Sequence, residues 1–444
     1  MRYCAVRLSG RMPARSSRLS GFYRLTVEER RQALKEATDL SEEAVEALAS
    51  ADALSEEAAD HMIENVVGRF VLPVGLATNF IVDGEEYLIP FVLEESSVVA
   101  AASNMARRCR STGGFVSSND PPIMIAQVQV LDVVDLDAAE AAVMGAEEEL
   151  VRMCNDRPST MIKLGGGLKR LTCHRIPTEL GTMFVVHLHV DVRDAMGANA
   201  VNTMAELIAP RIESLTGGRV LLRILSNLAT ERMARIEARF SPEAMSDDGD
   251  AAQGAEVIAG IIEAYHFAAS DPYRAATHNK GVMNAISAVA IACGQDWRAI
   301  EAGCHAWAAV RTGRYASMTE WEVDNEGYLV GRLETPMAVG TVGGASRVHP
   351  TARACLEILG IDAADRLAAI MAASGLAQNL GALRALSTSG IQAGHMRLHA
   401  RNMAVSAGAE GAEIDEVAAR LASWEGPRTQ TTAEEILAML RQGA

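Results

Sequence analysis

MFVVHLHVDVRDAMGANAVNTM, residues Met183 to Met204, reads as a long strand of alternating apolar residues that passes through a short polar turn into a helix. Unpaired N–H groups at such a helix start bind phosphate well, and Gly197 lets a ligand approach the main chain. A glycine after a strand is by itself more often only a turn, and G-x-G-x-x-G is missing, so no Rossmann domain is invoked. Upstream, IMIAQVQVLDVV (Ile123 to Val134) is a second alternating run, followed by a helix rich in Ala and Glu that ends near Asn155, then a Gly165-Gly166-Gly167 turn. Downstream, the helix runs to about Leu215, stops at Thr216-Gly217-Gly218 and gives way to a last strand, VLLRIL. Strands and helices alternating in this way predict a compact α+β unit over roughly 121–230, inserted as a small domain into helical text.

Further out, the pattern from Thr26 to about Ile63 predicts short helices. Between Phe70 and Val99 the alternation on either side of Asp83-Gly84, a hairpin dipeptide, predicts strand, turn, strand and then a helix from about Ser97. From Ala251 nearly everything is helical, apart from a strand pair, EVDNEGYLVGRLETP, and the glycine-rich GTVGGAS (Gly340 to Ser346). The expected parts are a flexible extension over 1–16, a large domain over 17–120 and 231–390, the small domain over 121–230, and a separate C-terminal helical piece over 391–444.

Composition narrows the partners. In 444 residues, 41 Lys and Arg against 57 Asp and Glu leave a net charge of −16, which repels nucleic acid and anionic membrane; a small anionic substrate in one locally basic cleft stays open. Seven cysteines, odd in number and without a C-x-x-C pair, predict reduced thiols in a cytoplasm. No stretch approaches the roughly 20 apolar residues of a membrane span. Six arginines precede Glu28 without an acid; lacking an amphipathic period or apolar core, this start reads as a tail rather than a targeting peptide.

Several polar groups could carry chemistry. Lys280 and Asn284 in DPYRAATHNKGVMNAI are four apart and share one helix face, near Arg274 and His278; a lysine beside apolar surface can polarise a carbonyl, while the bland reading is a solvated face. Glu94 and Glu95 precede the helix that begins at SSVVAAAS, where carboxylates favour the dipole, or where partial burial raises a carboxyl pKa until it donates a proton. Asp296 is placed as an N-cap. His395 and His399 have the spacing of a zinc pair, but no Glu completes H-E-x-x-H and no third ligand is evident.

In their order these motifs resemble one family, the 3-hydroxy-3-methylglutaryl-CoA reductases, from about Ser17 to the C-terminus. The resemblance is carried by ENVVG (Glu64 to Gly68), LEESSVVAAASN (Leu93 to Asn104), DAMGANAVNTM (Asp194 to Met204), DPYRAATHNKGVMN (Asp271 to Asn284), GQDWRAIEAG (Gly294 to Gly303), GTVGG, GLAQNLGALRAL (Gly375 to Leu386) and GHMRLHARN (Gly394 to Asn402). Their wording, without a membrane anchor, is similar to the class II, bacterial type. The resemblance implies an α+β architecture: a helical large domain, an inserted ferredoxin-like α/β-sandwich small domain and a C-terminal flap. It also implies a homodimer with the active site between subunits. It implies NAD(P)-dependent interconversion of 3-hydroxy-3-methylglutaryl-CoA with mevalonate and CoA, without a metal, through mevaldehyde. Catalysis would fall to Glu95, Lys280, Asp296 and His395; substrate contacts to Ser97, Arg274, Asn284 and Gln378; the dinucleotide to Asp194, Met196, Gly197, Asn199 and Asn227. Where close relatives have Glu-Pro-Ser, this chain has Glu95-Ser96-Ser97. Asp156 would suit an adenosine ribose 2′-OH and Arg157 a 2′-phosphate, which leaves NADH against NADPH open. Two rival readings are a silent CoA- or nucleotide-binding homologue and a zinc hydrolase built on His395 and His399.

Overall fold

The computed structural model describes residues 16–388 and 400–442. Three short helices come first, α1 (Val27–Ala37), α2 (Glu42–Ala49) and α3 (Glu56–Met62), each begun by a Thr or Ser hydroxyl that accepts a main-chain N–H. The Asp83-Gly84 turn, with positive φ at both residues, joins β1 (Val74–Val82) to β2 (Glu85–Val92) as the hairpin dipeptide predicts. Then follow α4 (Val98–Arg108) and β3 (Phe115–Asn119).

The inserted unit runs β4 (Ile123–Leu131), α5 (Leu136–Gly145), α6 (Glu147–Asn155), α7 (Thr160–Lys163), β5 (Gly167–Thr178), β6 (Gly181–Asp191), α8 (Ala198–Thr216) and β7 (Arg219–Leu225). Its four strands lie in the order β5-β6-β4-β7 and every pair is antiparallel, the arrangement of a ferredoxin-like βαββαβ sandwich. Val128, Val186 and Leu188 on the inner face meet Val143, Leu150, Val201 and Ile208 from the helices, so the unit closes its own core. The expected single helix ending near Asn155 is two, α5 and α6, meeting at Ala146.

The chain returns through β8 (Met233–Phe240), α9 (Pro242–Met245), α10 (Ala251–Ser270), α11 (Pro272–Ala292), α12 (Trp297–Val310), β9 (Thr319–Val323), β10 (Leu329–Pro336), α13 (Pro350–Leu359) and α14 (Ala364–Ser387). A six-stranded sheet, β2-β1-β3-β8-β10-β9, therefore lies within the mainly helical part. Phe80, Ile89 and Phe240 on this sheet pack against α4, α11 and the almost wholly buried α14. Beyond the gap, residues 400–406 and the helices Ala412–Ala422 and Gln430–Arg441 close a separate small core around Met403, Val417, Leu421 and Ile436. Among the described residues no helix is long and apolar enough to cross a membrane. The N-terminal extension, apart from Ser16, and the segment holding His395 and His399 lie outside the described residues.

Candidate active site

Two groups of candidate residues sit along α11, one around Lys280 in its middle and one beyond its C-terminal end. Asp271 caps that helix, accepting from Arg274 N at 2.7 Å, and Pro272 follows in its first turn. The four-residue spacing places Lys280 and Asn284 on one face, as expected. Lys280 Nζ donates to Glu95 Oε2, an ion pair across the gap between α11 and the β2–α4 turn. That turn ends at Ser97, which caps α4 with φ 72° and no side-chain bond to the helix start. A left-handed serine is uncommon outside strained, over-determined sites. Arg274 and Asn284 form no side-chain hydrogen bond or ion pair among the described residues, and partial burial pushes the Arg274 guanidinium pKa down. On α14, which packs along α11, the buried Gln378 leaves its Oε1 without a partner among the described residues.

His278 faces the other way. Its Nε2 meets Thr319 Oγ1 at 2.7 Å, Ser317 Oγ at 2.8 Å and Asn379 Nδ2 at 3.1 Å. Burial, helped by the Arg274 charge, pushes its pKa down to about 3, so the ring is a neutral pin between α11, α14 and β9. Of the donors in DPYRAATHNKG, His278 and its neighbour Asn279 belong to the core.

The second group surrounds the start of α8. Gly197 caps it with φ 95°, and a Cβ there would stand 2.5 Å from Val192 Cγ1. Glycine is therefore required both by conformation and by space. The Asp194 carbonyl accepts from Thr341 N at 2.9 Å and its Oδ1 from Ala364 N at 3.0 Å, which locks the loop to the GTVGG segment and to α14. A cleft of about 1250 Å³ opens here, lined by Met196, Gly197, Asn199, Asp296, Arg298 and His349 among others. The α8 N-terminus has no side-chain cap and its first residues, Ala198, Asn199 and Ala200, line this space, a seat suited to a dinucleotide pyrophosphate. Asp194 and Asn227 do not line the cleft; Asn227 is exposed with its carbonyl against α12 at Gly303. Asp156 and Arg157 are exposed at the end of α6. They sit beside the glycine turn, where Arg193 Nη2 donates to Gly165 O at 2.8 Å and Lys169 Nζ to the same oxygen at 2.7 Å.

Asp296 caps α12, accepting from Ala299 N at 3.1 Å with Arg298 Nη2 3.4 Å away, and makes no ion pair with Lys280. Helix α12 turns back along α11, Ser287 Oγ donating to Glu301 at 2.7 Å. Lys280 lies twelve residues before the end of α11 at Ala292, about 18 Å at 1.5 Å per residue. The chain thus joins Glu95 to Lys280 and holds Asp296 with the α8 start. Two further polar side chains serve the second group and were not singled out from the sequence. Arg232 donates to the carbonyls of Ala195, Met196 and Val339, and Gln295 bonds both polar atoms of Gly340. Gln295 stands beside Asp296 within a quoted motif; Arg232 carries no local signal. Among the described residues no group of three or more His, Cys, Asp or Glu is arranged to hold a metal ion.

The family model described as hydroxymethylglutaryl-coenzyme A reductase matches residues 26–400. The chain is 52% identical over 428 residues to the 3-hydroxy-3-methylglutaryl-coenzyme A reductase of Archaeoglobus fulgidus, covering 96% of each. Its fold is similar to that of the 3-hydroxy-3-methylglutaryl-coenzyme A reductase from Streptococcus pneumoniae, with TM-score 0.81, 40% identity, and 95% of this chain and 99% of that one covered. It is also similar to the class II enzyme of that organism bound to NADPH in open conformations, with TM-score 0.79, 40% identity, and 94% and 100% covered. The chain belongs to the hydroxymethylglutaryl-coenzyme A reductase family, NAD(P)-dependent oxidoreductases, and is of class II type.

Proposed function

We propose that this chain interconverts 3-hydroxy-3-methylglutaryl-CoA with mevalonate and CoA, at a site assembled from two copies. The observation that carries the reading is the Lys280–Glu95 pair, set on a face whose neighbours Arg274 and Asn284 are free to take substrate. Arg274 suits the substrate carboxylate, Ser97 and Asn284 suit its carboxylate or hydroxyl, and the unpaired Gln378 oxygen suits acceptance from its hydroxyl. Met196, Gly197 and Asn199, with Asp194 and Asn227, would hold NADH or NADPH, which would supply the hydride for each of the two reductions.

Lys280 then stabilises the oxygen of the thioester, hemithioacetal and aldehyde as negative charge develops on it, while Glu95 supplies the proton. Asp296 completes the group. The separation along α11 makes a second copy its natural source. An exposed apolar run around ENVVG supports such a partner: Val67 and Phe70 are 104% and 90% exposed, far beyond what scattered surface residues require. His395 is assigned protonation of the departing CoA thiolate, a task for an imidazole titrating near neutrality. The four-stranded unit over 121–230 acts as the dinucleotide domain, and 391–444 as a flap whose movement allows cofactor exchange between the two reductions. Six described cysteines are free and five of them buried, which supports a cytoplasmic setting.

The test follows reduced-nicotinamide absorbance with 3-hydroxy-3-methylglutaryl-CoA, comparing NADH with NADPH at matched concentrations. Oxidation that requires the acyl-CoA is expected, and the preferred cofactor shows whether Asp156 or Arg157 governs the ribose. No oxidation with either, despite CoA binding, would replace the proposal with a silent binding homologue.

A further inference from the structure

Arg232 and Gln295 converge on one short segment, Val339–Gly340, from opposite sides. Arg232 leaves the inserted unit at the foot of β8 and is only 5% exposed. Its Nη1 donates to Ala195 O at 3.0 Å and Met196 O at 3.3 Å, and its Nη2 to Val339 O. No carboxylate is in direct ion-pair contact with it among the described residues, although the charges of Asp194 and Asp191 act on it. Gln295 Nε2 donates to Gly340 O at 2.9 Å and Cys293 O at 3.0 Å, and its Oε1 accepts from Gly340 N at 2.8 Å. Gly340 itself lies so close to the α8 approach that a Cβ would stand 2.5 Å from Met196 N. A bridge between Ala195 and Val342 continues the contact.

A buried guanidinium with no carboxylate in direct contact is costly, and a methionine of similar length would fill the same space at a lower cost. What arginine adds is direction and charge. Drawing the carbonyls of Ala195 and Met196 inward fixes the orientation of both peptide units, and the guanidinium, balanced in part by the charges of Asp194 and Asp191, sits behind the proposed pyrophosphate seat. Gln295 carries the same constraint to its neighbour, Asp296.

We infer that Arg232 and Gln295 are positioning residues that form one clamp through Gly340, holding the dinucleotide loop and Asp296 in fixed register. The inference rests on reading the Met196–Gly197 loop as the dinucleotide seat. It is tested with intact Arg232→Met, Arg232→Lys, Gln295→Met and the Arg232→Met/Gln295→Met double variant, by titrating NADPH and NADH fluorescence, measuring kcat and both KM values, and recording thermal unfolding. Arg232→Met is expected to weaken dinucleotide binding about tenfold or more while the acyl-CoA KM stays within about threefold, with Arg232→Lys restoring most of the loss. Gln295→Met lowers kcat more than it changes dinucleotide affinity, and the double variant loses less than the product of the single losses. A folded Arg232→Met variant that binds dinucleotide normally overturns the inference while the loop reading stands. So does parallel weakening of both substrates with no rescue by lysine. Wild-type protein that binds neither nucleotide removes the loop reading itself.

Discussion

Replacing Gly197 by alanine tests the dinucleotide seat at its narrowest point. At φ 95° an added Cβ meets Val192 Cγ1 at 2.5 Å, Cβ at 2.8 Å and Cγ2 at 3.0 Å. Val192 is fully buried, so it cannot swing into solvent. The left-handed conformation costs an alanine about 1–2 kcal/mol, and overpacking a closed core about 1–3 kcal/mol. The α8 start must shift to relieve a total of roughly 2–5 kcal/mol. Part of that appears as lost stability and part as displaced N–H groups; even 2 kcal/mol expressed in binding is about thirtyfold in Kd. Fluorescence titration with NADPH and NADH should therefore show binding weakened by about tenfold or more, with a lowered Tm and an acyl-CoA KM changed by less than about threefold. Adding Val192→Ala removes the two Cγ contacts, leaves the 2.8 Å approach of its Cβ and keeps the conformational cost, so it should recover a small part of the affinity. A Gly197→Ala protein with wild-type Kd and Tm would refute the reasoning.

Lys280→Ala should reduce kcat by about a hundredfold or more while dinucleotide binding, measured by the same titration, is unchanged. His395→Gln should slow thioester reduction more than reduction of free mevaldehyde in parallel steady-state assays, and equal losses would remove the thiolate role. His278 has a folded pKa of about 3 against an ordinary 6.5, so between those values the unfolded chain binds a proton that the native one refuses. Stability is fully present above pH 6.5 and is lost on acidification by up to about 1.4 kcal/mol per pH unit, a slope that denaturant titrations should find flattened in His278→Asn. Ser97→Gly relieves a left-handed residue and should raise Tm, at about 1 kcal/mol, while the acyl-CoA KM rises through loss of the hydroxyl.

Local signals were legible in the sequence wherever one short segment decides its own conformation. The Asp83-Gly84 hairpin, the Gly217 stop after α8 and the strand-to-helix turn at Gly197 appear as read. Three strands were not. β8 alternates perfectly as Ala234-Arg235-Ile236-Glu237-Ala238-Arg239-Phe240, but its Ala, Arg and Glu are strong helix formers, and its strand state is imposed by β3 and β10 on either side. β3 is five residues long and partly polar, and β5 puts Lys169, Arg170, His174 and Arg175 on an edge strand. The candidate site divides in the same way. The shared face of Lys280 and Asn284 follows from a spacing of four. The separation of Lys280 from Asp296 follows from the unbroken run of α11 to Ala292, whereas the reach of Arg232 to Ala195 and Val339 depends on long-range packing, which leaves no pattern in one segment.

The most direct test of a site assembled from two copies pairs differently tagged Lys280→Ala and Asp296→Asn chains, co-expressed and purified through both tags. Each variant alone should be inactive. In the mixed dimer one site receives Lys280 and Glu95 from one chain and Asp296 from the other, so about half of the wild-type acyl-CoA-dependent nicotinamide oxidation should return. A mixed dimer that binds dinucleotide but stays as inactive as its parents would contradict the assignment of Asp296 to the partner's site.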